Sequence, residues 1–146
     1  MPAVITSAKP GVKMRARVIL ADDHPDVLES LLALVEPEFD VVATVRDGNA
    51  LVAAAAAFTP DVIVTDIAMP GLNGISAADQ ILRSHPATRV VFVTVHNHPV
   101  LVEKGLATGA LGYVLKPTAG DELVPAIHDA LRGQRYVSSA IGNASK

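Results

Sequence analysis

The stretch of sequence that decides the fold is Val62-Ile63-Val64-Thr65-Asp66. Its first three residues form a continuous β-branched run, which is typical of a strand buried on both faces, as in a parallel sheet. Thr65 and Asp66 then bring polar groups to the carboxyl end of that strand. Ligands of open parallel sheets bind beyond the carboxyl ends of the strands, so this stretch predicts both the type of sheet and the position of a site.

Similar apolar runs lie on either side of this strand. We predict five strands, at residues 18–21, 39–45, 62–64, 90–95 and 111–115. We predict five helices, at residues 27–35, 49–58, 75–83, 100–108 and 121–132. This alternation favours an α/β fold of the flavodoxin-like (βα)5 type, a doubly wound parallel five-stranded sheet covered on both faces. Right-handed crossovers leave few topologies, and among them we take the order 2-1-3-4-5, a common doubly wound order that the residues alone do not dictate.

Composition limits the classes of protein that fit this chain. It has 146 residues, of which 50% are hydrophobic, enough for one domain with its own core. It contains no cysteine, which excludes disulfides, thiolate zinc sites and cysteine nucleophiles. A formal net charge of -3 gives no general reason to bind nucleic acid. Without a membrane-spanning run or a signal-peptide core, we expect a cytoplasmic protein with no membrane partner.

Polar side chains stand at the ends of four predicted strands: Asp22 and Asp23, then Asp66, then Thr94, then Lys116. Three carboxylates at one edge repel one another unless a cation lies between them. Their oxygen atoms suit Mg²⁺, with Mn²⁺ as an alternative, rather than zinc. Lys116 could hold a phosphoryl oxygen, which would leave Asp66 free to attack phosphorus and form an aspartyl-phosphate.

Each of these residues also has a simpler structural explanation. An acid at a strand end is most often a helix cap, and Asp23 or Asp26 could cap the first helix. A single threonine at a strand end is usually structural, and a single lysine is usually solvated. Their occurrence together, in order, at four strand ends is what favours a phosphoryl site.

These residues resemble the receiver domain of two-component response regulators. The matching stretches are Ala21-Asp22-Asp23-His24-Pro25, Asp66-Ile67-Ala68-Met69-Pro70 with Gly74, Thr94, and Gly109-Ala110-Leu111-Gly112-Tyr113-Val114-Leu115-Lys116-Pro117. The resemblance covers residues 16–133 and implies that a sensor histidine kinase phosphorylates Asp66. It also implies a switch rather than an enzyme, with at most autophosphorylation from small donors and self-dephosphorylation.

The resemblance further implies the metal ligands. Asp23 would bind Mg²⁺ directly and Asp22 through a water molecule. Asp66 and the backbone carbonyl of Ala68 would complete the protein ligands. All four residues lie within the matching stretches.

The resemblance also implies how the signal leaves the site. Lys116 would bind the phosphoryl group, and the peptide bond before Pro117 would be cis. Thr94 would move to bond a phosphoryl oxygen, and Tyr113 would then swing inward. Phosphorylation would thereby change the face formed by the fourth helix, the fifth strand and the fifth helix.

Further details resemble the NarL/FixJ (LuxR-type) branch of these regulators. Asp-Asp-His-Pro at 22–25, Gly-Tyr-Val-Leu-Lys at 112–116 and Gly-Gln-Arg-Tyr-Val-Ser at 133–138 are typical of it. There a helix-turn-helix DNA-binding domain usually follows, and receivers commonly form homodimers. We predict a flexible extension at 1–14, a receiver domain at 15–133 and a linker-like tail at 134–146. The chain is then either a stand-alone receiver or one excised from a longer regulator, and the linker-like tail favours the second, with transcription controlled through a DNA-binding domain that this chain lacks.

Three other functions fit this sequence less well. A phosphohydrolase of the haloacid dehalogenase type needs a second aspartate two residues after the nucleophile, where this chain has Ala68. An FMN binder needs a phosphate-binding loop after the first strand, where Asp22 and Asp23 would repel the phosphate. A pseudo-receiver would bind a partner without phosphorylation, which the intact acids and Lys116 argue against.

Histidines offer one competing metal site. His96 and His98 could form a ligand pair, but exposed loop histidines are the more common explanation of such spacing. His24 is expected at the rim of the acidic pocket, where its charge could respond to pH.

Overall fold

The structure, a computed structural model, describes residues 15–144, with side chains described as far as residue 141. The predicted extension at residues 1–14 lies outside the described residues. The strands are β1 (Arg17–Ala21), β2 (Asp40–Val45), β3 (Val62–Thr65), β4 (Arg89–Thr94), β5 (Gly112–Leu115) and β6 (Tyr136–Val137). The α-helices are α1 (Pro25–Val35), α2 (Gly48–Phe58), α3 (Gly74–Ser84), α4 (Pro99–Ala107), α5 (Ala119–Leu131) and α6 (Ser139–Ala144). No helix in this described part is long and apolar enough to cross a membrane.

The sheet has the predicted order. Its strands run β2-β1-β3-β4-β5-β6, and every neighbouring pair is parallel. All ten predicted elements are present, with ends shifted by at most two residues. The α/β doubly wound fold and the order of its first five strands are therefore confirmed.

The prediction of five strands was incomplete, because β6 adds a sixth strand at the edge beside β5. Gly112 pairs with Tyr136 and Tyr113 pairs with Val137. A strand of two residues carries too little periodicity to be recognised in a sequence. The strand lies within the segment predicted to be linker-like, and Ile141 beyond it is also buried in the apolar core. The boundary predicted at residue 133 thus falls between α5 and a strand of the same sheet.

Helices cover both faces of the sheet, and the run in β3 divides between them. Ile63 packs into the cluster beneath α2, α3 and α4, whereas Val62 and Val64 pack into the cluster beneath α1 and α5. None of the three side chains is exposed to solvent. Burial of each contributes about 1.5–3 kcal/mol, which is why this stretch requires a sheet covered on both sides.

Local signals begin three of the helices. The Asp47 carboxylate accepts the Ala50 N–H at 2.7 Å to begin α2, and the Asn73 side chain begins α3 in the same way. His98 begins α4, because its Nδ1 accepts the Val100 N–H at 3.2 Å. In the structure His98 is therefore the N-cap residue of α4.

Candidate functional site

The sheet brings the polar strand ends to one edge. Ala21 at the end of β1 pairs with Thr65 at the end of β3, so Asp22 and Asp66 follow side by side. The Asp66 N–H donates to the Ala21 carbonyl at 3.0 Å, which continues the ladder by one residue. Parallel pairing of neighbouring strands is therefore what brings these two carboxylates together.

Lys116 joins the two carboxylates. It follows β5, two strands away from β3, and its Nζ lies 2.8 Å from Asp22 Oδ2 and 2.9 Å from Asp66 Oδ2. Both carboxylates are buried, and the lysine side chain is 16% exposed. Burial disfavours the charged amine, but the adjacent carboxylates of Asp22 and Asp66 outweigh it and raise the pKa of Lys116 above its ordinary value. A partly buried ammonium thus neutralises part of the acidic cluster.

The two oxygens of Asp66 have different partners. Oδ1 accepts the N–H of Ile67 at 2.6 Å, and Oδ2 accepts a hydrogen bond from Lys116 at 2.9 Å. The backbone bond fixes the orientation of the carboxylate. Oδ2, in contrast, accepts a hydrogen bond only from the flexible side chain of Lys116 among the described residues, and that side chain can move away.

Asp23 and His24 extend this pair of carboxylates into a compact cluster of possible metal ligands. One ligand atom each from Asp22, Asp23, His24 and Asp66 lie within 4.8 Å of one another. His24 Nδ1 lies 3.1 Å from both Asp22 Oδ1 and Asp23 Oδ1, so the imidazole contacts the acids as the sequence led us to expect of a rim residue.

The donor set of this cluster fits a hard divalent cation. Asp23 Oδ1 and Asp22 Oδ2 are buried, and neither has a hydrogen-bond partner of proper geometry. The nearest basic groups are His24 Nδ1, 3.1 Å from Asp23 Oδ1, and Lys116 Nζ, 2.8 Å from Asp22 Oδ2. Buried carboxylate oxygens that lack well-formed hydrogen bonds are costly, and a cation that prefers oxygen ligands would satisfy them. Asp22, Asp23 and Asp66 therefore have the chemistry and the spacing to hold Mg²⁺.

Thr94 and Tyr113 meet at the backbone of His96. The Thr94 hydroxyl, fully buried at the end of β4, accepts the His96 N–H at 3.2 Å. The Tyr113 hydroxyl donates to the His96 carbonyl at 2.6 Å, and its ring is also fully buried. Burial, together with the nearby charge of Asp66, raises the pKa of Tyr113 to about 12, so the hydroxyl keeps its proton. A displacement of Thr94 would therefore reach Tyr113 through the peptide groups of His96.

The structure brings together most of the residues selected from the sequence. Asp22, Asp66 and Lys116 are in direct contact, and Asp23 adjoins them through His24. The metal-ligand role of the Ala68 carbonyl stays a prediction. The peptide bond before Pro117 is trans, contrary to the cis bond that the resemblance implied. Sequence reasoning missed the link through His96, because backbone atoms make it and any residue could supply them.

Gly74 lies directly behind Asp66 and permits close packing there. A β-carbon at this position would lie 1.9 Å from the Asp66 carbonyl oxygen. We expect Gly74→Ala to lower the free energy of unfolding in urea by about 3 kcal/mol, because the loop that carries the acceptor must shift. Gly120→Ala is the matched control, since the added carbon would have no atom within 4 Å beyond its chain neighbours and the backbone of its own helix, and it should be neutral or slightly stabilising. Equal stability of the two variants would contradict this account.

Comparison with known proteins identifies the family of this chain. Residues 18–128 match the response regulator receiver domain family. The chain is 38% identical over 124 residues to the uncharacterized transcriptional regulatory protein YxjL of Bacillus subtilis (strain 168), over 84% of this chain and 57% of YxjL. It is 33% identical over 128 residues to the nitrate/nitrite response regulator protein NarL of Escherichia coli (strain K12), over 86% of this chain and 59% of NarL. A crystal structure of a LuxR-family two-component response regulator from Aurantimonas sp. SI85-9A1 has a TM-score of 0.86 and 36% identity, over 90% of this chain and 96% of that chain.

The fold, the acidic edge with its lysine and these matches define a receiver domain, and the chain belongs to the response regulator receiver family. Its relatives place it in the NarL/LuxR-type branch of that family. The resemblance inferred from sequence is thus confirmed at both levels. The chain spans 57% of YxjL and 59% of NarL, little more than half the length of these curated relatives.

Proposed function

We propose that this chain accepts a phosphoryl group from a sensor histidine kinase on Asp66 and that this modification controls an output. The observation that carries the proposal is the position of Lys116 Nζ, within 2.9 Å of both Asp22 and Asp66. An ammonium held beside the acceptor carboxylate can neutralise the charge of an incoming phosphoryl group. Phosphoryl transfer requires mainly such positioning and charge stabilisation.

In this proposal Asp22, Asp23 and Asp66 hold Mg²⁺, and the carbonyl of Ala68 is a further ligand. The bound cation would supply the positive charge that lets an anionic phosphoryl group approach three carboxylates. The buried oxygens of Asp22 and Asp23 that lack well-formed hydrogen bonds support this assignment. Mn²⁺ has the same ligand preference and is expected to substitute.

The transfer step uses groups that the chain itself supplies. An oxygen of Asp66 attacks phosphorus, the bond between phosphorus and the donor breaks, and the leaving group departs with its electron pair. The bond from Ile67 N–H to Oδ1 keeps the carboxylate oriented. Lys116 transfers its contact from Asp66 Oδ2 to a phosphoryl oxygen, and its ion pair with Asp22 keeps it in place.

The output follows from the contacts of Thr94. Movement of its hydroxyl toward the phosphoryl group would break its bond with the His96 N–H, and His96 also receives the Tyr113 hydroxyl. The face formed by α4, β5 and α5 would change in consequence. The relatives named above are transcriptional or response regulators, so we propose that the output is transcription through a DNA-binding domain. We also propose that the receiver acts as a homodimer, because one solved structure similar to this chain contains dimers bound to DNA.

The test is phosphorylation by a small donor. Incubation with acetyl phosphate and Mg²⁺ should add the mass of one phosphoryl group to the intact protein, and peptide mapping should place it on Asp66. EDTA should abolish the gain, because the acids repel the donor without a cation. An unchanged mass with Mg²⁺ present would instead favour a pseudo-receiver that binds a partner without phosphorylation.

Asp23→Asn separates the metal role from the acceptor role. Ligands that bind only the folded state raise its stability, so Mg²⁺ should raise the Tm of the unmodified protein. Loss of one ligand charge should weaken that effect, shifting its Mg²⁺ midpoint about tenfold or more upward. Asp121→Asn, at an exposed position early in α5, is the control. Identical Mg²⁺ midpoints for Asp23→Asn and the unmodified protein would exclude Asp23 as a ligand.

A further inference from the structure

A second set of side chains lies behind Lys116, on the backbone that carries it. Leu115, the residue immediately before Lys116, has a side-chain hydroxyl within reach of each of its two backbone polar groups. Its N–H donates to Ser138 Oγ at 2.9 Å, and its carbonyl lies 3.3 Å from the Thr118 hydroxyl. The backbone is thus held at the end of β5, immediately before Lys116.

Ser138 comes from the segment that follows β6. Its side chain is almost fully buried, and its own N–H donates to the Tyr113 carbonyl at 2.9 Å. A serine hydroxyl has one proton and can accept as well as donate. Here it accepts from Leu115 and donates to Glu122 on α5, so both functions of the hydroxyl are used.

Glu122 connects the two sides of this arrangement. Its Oε1 accepts hydrogen bonds from the hydroxyls of Ser138 and of Thr118, the latter at 2.9 Å. Burial alone would raise its pKa, but hydrogen bonds from Ser138, Thr118 and the Ser139 backbone hold the pKa of Glu122 below its ordinary value. The carboxylate is therefore ionised at neutral pH and binds both hydroxyls strongly.

We propose that Ser138, held by Glu122, is a positioning residue for Lys116. By accepting the Leu115 N–H, it fixes the end of β5 and keeps the lysine ammonium within reach of Asp22 and Asp66. The inference deepens the proposed phosphorylation of Asp66 and rests on it. The segment after β6 is then part of the phosphorylation site, although it lies beyond residue 128, where the match to the receiver family ends.

Ser138 matters to the phosphorylation rate because it holds the backbone from which the Lys116 side chain extends. Lysine has a long and flexible side chain, so its ammonium is placed only as well as its backbone and its partners allow. Displacement of a positioning group by a fraction of an ångström can reduce a rate substantially. Ser138→Ala removes the acceptor of the buried Leu115 N–H and one donor to Glu122 but leaves Asp22, Asp23 and Asp66 untouched.

The experiment measures the initial rate of phosphorylation of Asp66 by acetyl phosphate at saturating Mg²⁺. Ser138→Ala should lower this rate about fivefold. The Mg²⁺ midpoint for the rise in Tm should change by less than about twofold, because the acids are unaffected. If Ser138 only held the segment after β6 in place, Ser138→Ala would leave the phosphorylation rate per folded molecule unchanged. Ser139→Ala is the matched control, since its side chain is exposed and its backbone bond to Glu122 is retained.

Thr118→Val provides a second test should Ser138→Ala fail to fold. Thr118 is exposed, and valine has nearly the same shape as threonine. The change therefore removes little more than the hydroxyl that contacts Leu115 and Glu122. It should lower the phosphorylation rate about two- to threefold. Unmodified rates in every folded variant of Ser138 and Thr118 overturn the inference and leave the proposed function standing. No phosphorylation of the unmodified protein overturns both.

Discussion

Asp66→Asn is expected to abolish phosphoryl uptake, with the rate of modification by acetyl phosphate falling about a thousandfold or more. An amide is neutral and has no carboxylate oxygen that can form the aspartyl-phosphate. The fold should be retained, because the amide oxygen can still accept the Ile67 N–H and Lys116 keeps its ion pair with Asp22. Intact mass after incubation with the donor and Mg²⁺ measures the effect.

The control for this variant is Asp79→Asn. It makes the same chemical change on α3, where Asp79 pairs with Arg83 on the surface. That protein should gain one phosphoryl group at the unmodified rate. Uptake of a phosphoryl group by Asp66→Asn to the extent seen in the control would place the acceptor elsewhere and remove the basis of the proposed function.

Lys116→Met is expected to have the second largest effect. The change retains much of the length of the side chain but removes the ammonium that contacts Asp22 and Asp66 at 2.8 and 2.9 Å. The phosphorylation rate should fall about a hundredfold, because the charge of the transferring group is no longer stabilised on that side. Two buried carboxylates also lose their counter-charge, so the free energy of unfolding without Mg²⁺ should fall by about 3 kcal/mol.

Mg²⁺ distinguishes this explanation from a general packing defect. The cation should restore more stability to Lys116→Met than it adds to the unmodified protein, since it supplies the missing positive charge. Urea unfolding with and without Mg²⁺ measures both effects. Lys104→Met, on the exposed surface of α4, should change neither stability nor rate appreciably. Loss of stability that Mg²⁺ does not restore would mean that Lys116 acts through packing rather than through its charge.

Several parts of the fold could be predicted because burial leaves a pattern in the sequence. The run at Val62, Ile63 and Val64 must be apolar throughout, since adjacent side chains enter the cores on opposite faces of the sheet. The candidate site could be predicted for a related reason. Parallel strands all end at the same edge, so acids after β1 and β3 and a lysine after β5 must gather there once the strand order is known.

Short-range pattern could not reveal β6 or the hydrogen bonds around Leu115. Two residues are too few to display a period of two, and the segment from residue 134 therefore resembles a linker. Ser138 and Glu122 are ordinary polar residues in the sequence, separated by a helix and a strand. Only the packing of β6 against β5 brings the Ser138 hydroxyl to the Leu115 N–H and within hydrogen-bond distance of Glu122.

The sequence by itself determined the class of fold, the polar residues at the strand ends and the chemistry of the carboxylates and the lysine, because side-chain type and local periodicity encode them. The tertiary structure decided which partners those groups have: the pairing of Lys116 with two acids, the meeting of Thr94 and Tyr113 at His96, and the anchoring of β5 by Ser138. The physical reason is that hydrogen bonds to backbone groups depend on position in space, and any residue type can present those groups.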